Sequence, residues 1–350
     1  MPSALSSLEL QHPILLAPLG GGPSTPELVA AVSAAGGAGF LGAAYMTPQQ
    51  TREAIRRVRA LTSRPFGVNL FTGGWTQEKP QDTSAALAML RPFHVRLGIA
   101  PPSMPEVPPD PFPAQLEVVL EAKPAAFSFT FGIPPADALR ALRDRGIATF
   151  GTATCVREAE LLHAAGVDGV LAQGAEAGGH RGTFAVSRDE GLVPTLDLVR
   201  AIRRAVPLPV IASGGIMDGR DIRAALDAGA AAAQLGTAFL ACPESGASAA
   251  YKAALTSARG DSTVLTNAFS GKWARGLRND FTSSGEQHPS AILHYPAQNQ
   301  LTRPMRQAAA QKGDAQLLSL WAGQGIARLR AIPAGELVRV LAEERRASTA

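Results

Sequence analysis

Only two cysteines, Cys155 and Cys242, occur in 350 residues, and they stand far apart with no CxxC pair. That excludes a disulfide framework and a cysteine-built zinc site, and no metal is expected. Aromatic residues make up only 5% of the chain and do not interleave with its arginines. The formal charge of +4 and pI of about 9.4 come from scattered pairs such as Arg56-Arg57, Arg203-Arg204 and Arg345-Arg346. A solvated, arginine-rich surface accounts for these better than a nucleic-acid interface, which needs a continuous basic stripe. No apolar run approaches the roughly 18 uninterrupted residues of a membrane span. Met1-Pro2-Ser3-Ala4-Leu5 lacks the charged and apolar regions of a signal peptide. These absences lead us to expect a soluble, cytoplasmic protein with neither a nucleic-acid nor a membrane partner.

Hydrophobic residues make up 46% of the chain, enough for a large core. Short, nearly continuous apolar runs alternate with helical patterns, as in a parallel sheet buried on both faces. The candidate strands are Ile14–Ala17, Gly39–Gly42, Phe66–Leu70, Ala126–Phe129, Ile147–Phe150, Gly169–Ala172, Val210–Ser213 and Ala232–Leu235. Helices lie between them, with Ser24 or Thr25 before Pro26 and Thr47-Pro48 as starts and Gly36, Gly166 and Gly229 as stops. Eight strand–helix units predict a (β/α)8 barrel. The rival doubly wound dinucleotide fold lacks its GxGxxG signature, since Gly20-Gly21-Gly22 runs into Pro23. The rhythm stops after Phe239. The expected division is a barrel over 1–241, a smaller, mostly helical insertion over 242–300 that covers the site, and C-terminal helices over 301–350 that pack back on the barrel. Within the insertion, Ser283-Ser284-Gly285 is expected to be irregular.

Gln173-Gly174-Ala175-Glu176-Ala177-Gly178-Gly179-His180-Arg181-Gly182 carries the strongest functional signal. Its glycines let backbone approach a ligand closely, and its histidine is suited to proton chemistry. In such barrels the working groups follow the strand C-termini, and the last two units often bind phosphate through backbone N–H groups. Asn69, Gln173, His180, Gly215 and Thr237 all fall there. The bland alternatives are tight-turn glycines, a surface histidine and strand-end amides that only satisfy backbone. Glu176 either orients the histidine or is a solvated carboxylate.

The histidine loop resembles the signature of the nitronate monooxygenases, formerly 2-nitropropane dioxygenases. The similarity extends through Ala17-Pro18-Leu19-Gly20-Gly21, Gly67-Val68-Asn69-Leu70, Ile211–Ile216, Gln234–Phe239, Phe269-Ser270-Gly271 and Ala274-Arg275-Gly276. Tyr295-Pro296 with Asn299, and Leu320–Gly325, are similar to the class I branch. The resemblance implies a TIM barrel holding FMN without covalent attachment, with Asn69, Gln173, Gly178, Gly215, Gln234, Leu235, Gly236 and Thr237 around it and His180 as catalytic base. It implies oxidation of an alkyl nitronate or nitroalkane by O2 to a carbonyl compound and nitrite, with propionate 3-nitronate as the expected substrate. Tyr295, Lys272 and Arg275 are the candidates for binding that substrate's carboxylate. The chain departs from the family's pattern at Lys272-Trp273 and Asp280, both away from the flavin loops. An NAD(P)H-dependent flavin reductase acting on quinones or enoyl thioesters is the alternative enzyme. A flavin-binding protein without catalysis is the alternative of a different class. A monomer or homodimer is expected.

Overall fold

The computed structural model describes residues 4–76, 78, 80–104, 106–259 and 262–348. The strands are β1 (Ile14–Leu16), β2 (Ala38–Gly42), β3 (Gly67–Phe71), β4 (Ala126–Thr130), β5 (Ala148–Ala153), β6 (Gly169–Gln173), β7 (Gly179–His180), β8 (Val210–Ser213), β9 (Ala232–Leu235), β10 (Thr263–Thr266) and β11 (Ala274–Leu277). β1 to β6, β8 and β9 form a closed parallel barrel, with β9 returning to pair with β1 at Leu15 and Gln234. All eight coincide with the expected runs to within a few residues.

Alternation along each strand sorts the barrel's side chains between two cores. Leu15, Phe40, Phe150, Leu171 and Ile211 fill the interior together with Leu8, from the short 3-10 helix Ala4–Leu8. Glycine makes room for the rings: a Cβ on Gly67 would lie 2.3 Å from Phe40, and one on Gly169 would lie 2.7 Å from Phe150. Ile14, Leu16, Leu41, Val68 and Val170 join the larger core that includes apolar faces of the surrounding helices. Of Ser24 and Thr25, Thr25 caps the first helix, and Thr47 caps the next in a reciprocal capping box with Gln50. The helix Ala334–Ala347 packs on the helices Pro26–Ala34 and Gly219–Asp227.

A further apolar cluster joins the helix Ser84–Leu97 to the later chain through Leu90, Phe269, Phe281, Leu301, Met305 and Leu320. The insertion contains, beside its helices, strands that were not expected. β10 and β11 form an antiparallel hairpin, and β7 from the histidine loop adds to β11 as a third strand. Two helices, Ala249–Ser257 and Asp280–Gln287, flank it. Ser283-Ser284-Gly285, expected to be irregular, lies inside the second helix. Asn279 starts that helix: its side chain accepts from Thr282 N–H, and the Thr282 hydroxyl accepts from Asn279 N–H. This local bonding and the burial of Phe281 outweigh the weak helix propensity of Ser-Ser-Gly.

Glu158 ties two loops together at the barrel mouth. It is fully buried. Its Oε2 accepts from Thr154 N–H and hydroxyl at 2.7 and 2.8 Å, and its Oε1 accepts from Phe184 and Ala185 N–H at 2.5 and 3.0 Å. Glu158→Ala strands these donors and is expected to destabilise the protein by about 3 kcal/mol. Thermal unfolding of the variant checks this, and an unchanged melting temperature would contradict it.

Candidate active site

The carboxyl ends of the barrel strands open into a cavity of about 1000 Å³ lined by Asn69, Gln173, Gly178, Gly215, Gln234, Gly236, Thr237 and His180, among others. Seven of the eight residues expected around a flavin therefore share one cavity. Leu235 does not line it. Its side chain is buried in the core outside the barrel, and its carbonyl accepts from Ala17 N–H at 2.8 Å. Alternation imposes this, because Gln234 beside it faces the opposite way.

The amides differ in what they have free. Asn69 Nδ2 donates to Ser128 Oγ at 2.9 Å. Gln173 holds its own loop: Nε2 donates to His180 O at 2.9 Å, and Oε1 accepts from Gly182 N–H at 2.7 Å. Gln234 Nε2 is buried with no hydrogen-bond partner among the described residues. An unpaired buried donor is costly, and an acceptor on a ligand in the cavity would satisfy it. Gly178 is required by proximity: a Cβ there would lie 2.5 Å from backbone atoms of Ala322 and Gly323. Gly215 has φ +69°, a left-handed conformation at the turn after β8. Thr237 Oγ1 accepts from Gly323 N–H at 2.9 Å, which fixes the turn after β9 against the late chain.

His180 sits on β7, among the rings of Phe71, Phe131 and Trp321 at centroid distances of 6.1, 5.9 and 5.3 Å. Its Nε2 is 2.8 Å from Ser270 Oγ, while Nδ1 makes no hydrogen bond to the described protein. Burial first, then the charges of Lys272 and Arg306, push its pKa down from 6.5 to about 3. The imidazole is therefore neutral at physiological pH.

Neither role considered for Glu176 is found. Its carboxylate accepts from Thr195 N–H and hydroxyl at 2.9 and 2.6 Å, at the start of the helix Thr195–Ala205. It is committed to that helix N-terminus, where a negative charge is favourable. Arg275 is likewise committed. It is 8% exposed, and its Nε donates to Ala175 O at 3.0 Å and its Nη1 to Thr263 Oγ1 at 3.3 Å. It braces the histidine loop and does not line the cavity. Lys272 lies with Nζ 4.3 Å from the Phe131 ring centroid and 5.6 Å from that of Tyr295. Tyr295 is buried against Trp75. Burial lowers the pKa of Lys272, and no carboxylate pairs with it among the described residues.

Sequence reasoning missed Ser270 and Arg306. Ser270 stood in a quoted motif, but its contact with His180 spans 90 residues and depends on the pairing of β7 with β11. Arg306 follows Pro304 and Met305 in a helix whose pattern resembles an ordinary surface face, so no local signal marks it.

A parallel barrel with a glycine loop and a neutral, half-buried histidine at its strand ends defines the class: an enzyme acting on a small molecule. More narrowly, the chain belongs to the nitronate monooxygenase family, whose model matches residues 3–344. It is 46% identical over 343 residues to a nitronate monooxygenase from Pseudomonas aeruginosa, covering 97% of each chain. It is 41% identical over 319 residues to a probable nitronate monooxygenase from Staphylococcus saprophyticus, covering 91% of this chain and 90% of that one. Among solved structures, a nitroalkane oxidase from Streptomyces ansochromogenes superposes with a TM-score of 0.92 at 44% identity, covering 99% of this chain and 100% of that one. FabK from Thermotoga maritima superposes with a TM-score of 0.77 at 29% identity, covering 99% and 96%. The chain is thus an oxidoreductase of this family. Among the described residues, no helix is long and apolar enough to cross a membrane.

The depressed His180 pKa has a signed consequence for stability. Unfolded, the ring takes up a proton as pH falls through about 6.5. Folded, it resists protonation down to about 3. Its contribution is therefore neutral above pH 6.5 and increasingly destabilising below it. In a heteronuclear NMR titration His180 is expected to show no midpoint between pH 5 and 8. A midpoint near 6.5 would contradict the burial argument.

Proposed function

We propose that this enzyme oxidises alkyl nitronates with molecular oxygen, using FMN held in the cavity, and releases a carbonyl compound and nitrite; His180 hydrogen-bonds a nitronate already ionised and is the base that takes the α-proton of a neutral nitroalkane. The observation that carries this reading is the placement of His180 on the cavity with Nε2 2.8 Å from Ser270 Oγ, close to Lys272 and Arg306, neither of which pairs with a carboxylate among the described residues.

The residues fit the cofactor. Gln234 Nε2 has a free donor for an acceptor at the edge of a flavin ring. The turns at Gly215, Gly236 and Thr237 line the cavity and offer backbone N–H groups to a phosphate. When bound, FMN supplies the electron acceptor for substrate oxidation and the route to oxygen. Removing Gln234's amide in Gln234→Ala is expected to weaken FMN affinity about tenfold. Fluorescence titration of the apoprotein measures this, and unchanged affinity would argue against the assignment.

The chain's own residues explain a preference for substrates that arrive ionised. A neutral imidazole has the lone pair a base needs. The same burial that keeps it neutral makes it weak against an uncharged carbon acid. Lys272 and Arg306, both acting on His180, favour an anion in the cavity. A bound anion offsets their repulsion of the imidazolium and raises the ring's basicity. We expect kcat/KM for a nitronate to exceed that for the matching neutral nitroalkane at pH 7, and equal values would contradict this account. His180→Ala is expected to lose roughly 10²–10⁴-fold in kcat/KM with the neutral nitroalkane, whose α-proton the ring removes, while still holding FMN. Undiminished turnover by that variant would remove the base assignment.

A further inference from the structure

The turn after β8 is held from outside the cavity. Gly215, Ile216 and Met217 line the cavity, whereas Arg328 does not. Arg328 Nη2 donates to Gly215 O at 3.2 Å. A peptide unit is planar and trans, so its C=O and N–H point opposite ways. A Gly215 carbonyl drawn outward therefore turns the Ile216 N–H of the same peptide towards the cavity. The donors of this turn differ in what they have spent. Met217 N–H donates to Asp221 Oδ2 at 2.8 Å, while Ile216 N–H makes no hydrogen bond to the described protein.

Two carboxylates fix Arg328 in turn. Its Nη1 lies 2.8 Å from Asp218 Oδ2 and 2.8 Å from Asp221 Oδ2. Asp218 is itself the cap of the helix Gly219–Asp227, its Oδ1 accepting from Asp221 N–H at 2.9 Å. The guanidinium thus ties the start of that helix to the turn before it, a task that suits a planar fork with donors on both arms. The segment leading to Arg328 is pressed on the same loops. Gly323 N–H donates to Thr237 Oγ1 at 2.9 Å, and Gln324 N–H donates to Glu176 O at 3.0 Å. A Cβ on Gly325 would lie 2.4 Å from Met217 Cγ and 2.9 Å from Gly215 O. The late chain therefore touches the turns after β6, β8 and β9 together.

We propose that Arg328 is a positioning residue for the cofactor: from outside the cavity it turns the Ile216 N–H inward, where the phosphate of FMN would accept from it, and so sets the preference for FMN over riboflavin, which carries the same ring without the phosphate. This rests on the FMN reading above. The charge of Arg328 is neutralised by Asp218 and Asp221, so its effect passes through the peptide it holds. A side chain more than a hundred residues beyond the turn, and off the cavity wall, thereby takes part in choosing the phosphorylated flavin.

The test compares the Kd of FMN with that of riboflavin, by ultrafiltration of the full-length protein loaded with each flavin, in wild type, Arg328→Met and Arg328→Lys. In Arg328→Met the preference for FMN is expected to fall about tenfold, the worth of one hydrogen bond to a charged group, with the riboflavin Kd changed by no more than about twofold. Arg328→Lys keeps the charge beside Asp218 and Asp221 but loses the two-armed reach, and is expected to recover the preference only in part. An unchanged preference in Arg328→Met would overturn the proposal. So would an equal loss for both flavins, which would make Arg328 a general brace of the fold. Full recovery in Arg328→Lys would overturn it too, since charge alone would then suffice. Wild-type protein that binds neither flavin would sink the FMN reading and this inference together, whereas the other adverse outcomes leave that reading standing.

Discussion

The buried Arg181 guanidinium holds the histidine loop in place, and the chemistry of the site depends on that loop. Its Nη groups take three carbonyls, two of them at the end of β6, while its backbone N–H donates to Trp273 O. Gln173 closes the same loop from its other side, bonding His180 O and Gly182 N–H. Carbonyls at a strand end have no further strand to pair with and must find donors elsewhere. Arg181 supplies several from one rigid group. The loop is thereby folded back over the barrel mouth, where His180 pairs with Ala274 of β11 and its ring reaches Ser270.

A neutral histidine follows from that position. The loop carries the ring into a wall of aromatic side chains, and the residues beyond the barrel place two cations close to it. Desolvation and like-charge repulsion act in the same direction and lower the pKa together. Among the described residues neither Lys272 nor Arg306 has a carboxylate partner, a cost that an anionic ligand would relieve. Structural and functional charges are separated by position: Arg181 and Arg275 bond loop carbonyls and a hydroxyl away from the cavity, whereas Arg306 lines it.

The barrel was legible because its signal is local. A strand buried on both faces is a short continuous apolar run, and each of the eight was bounded by glycine, proline or a cap. The cavity was largely legible for the same reason, since strand ends fix which side chains face the mouth. Leu235 lies off the cavity because a motif names neighbours, while alternation sends their side chains to opposite sides. The three-stranded sheet was hidden because β7 is only two residues long and finds its partner almost a hundred residues later. Ser270 gains its meaning from that pairing. Arg306 and the committed carboxylate of Glu176 were hidden because the choice between a solvated charge and a buried one is made by packing, not by residue type.

Mixing the purified holoenzyme anaerobically with propionate 3-nitronate, and separately with NADH, while following the flavin's visible absorbance, tests the central claim most directly. Rapid loss of absorbance with the nitronate and none with NADH is the predicted result. Bleaching by NADH with no response to the nitronate would contradict the account and identify a flavin reductase.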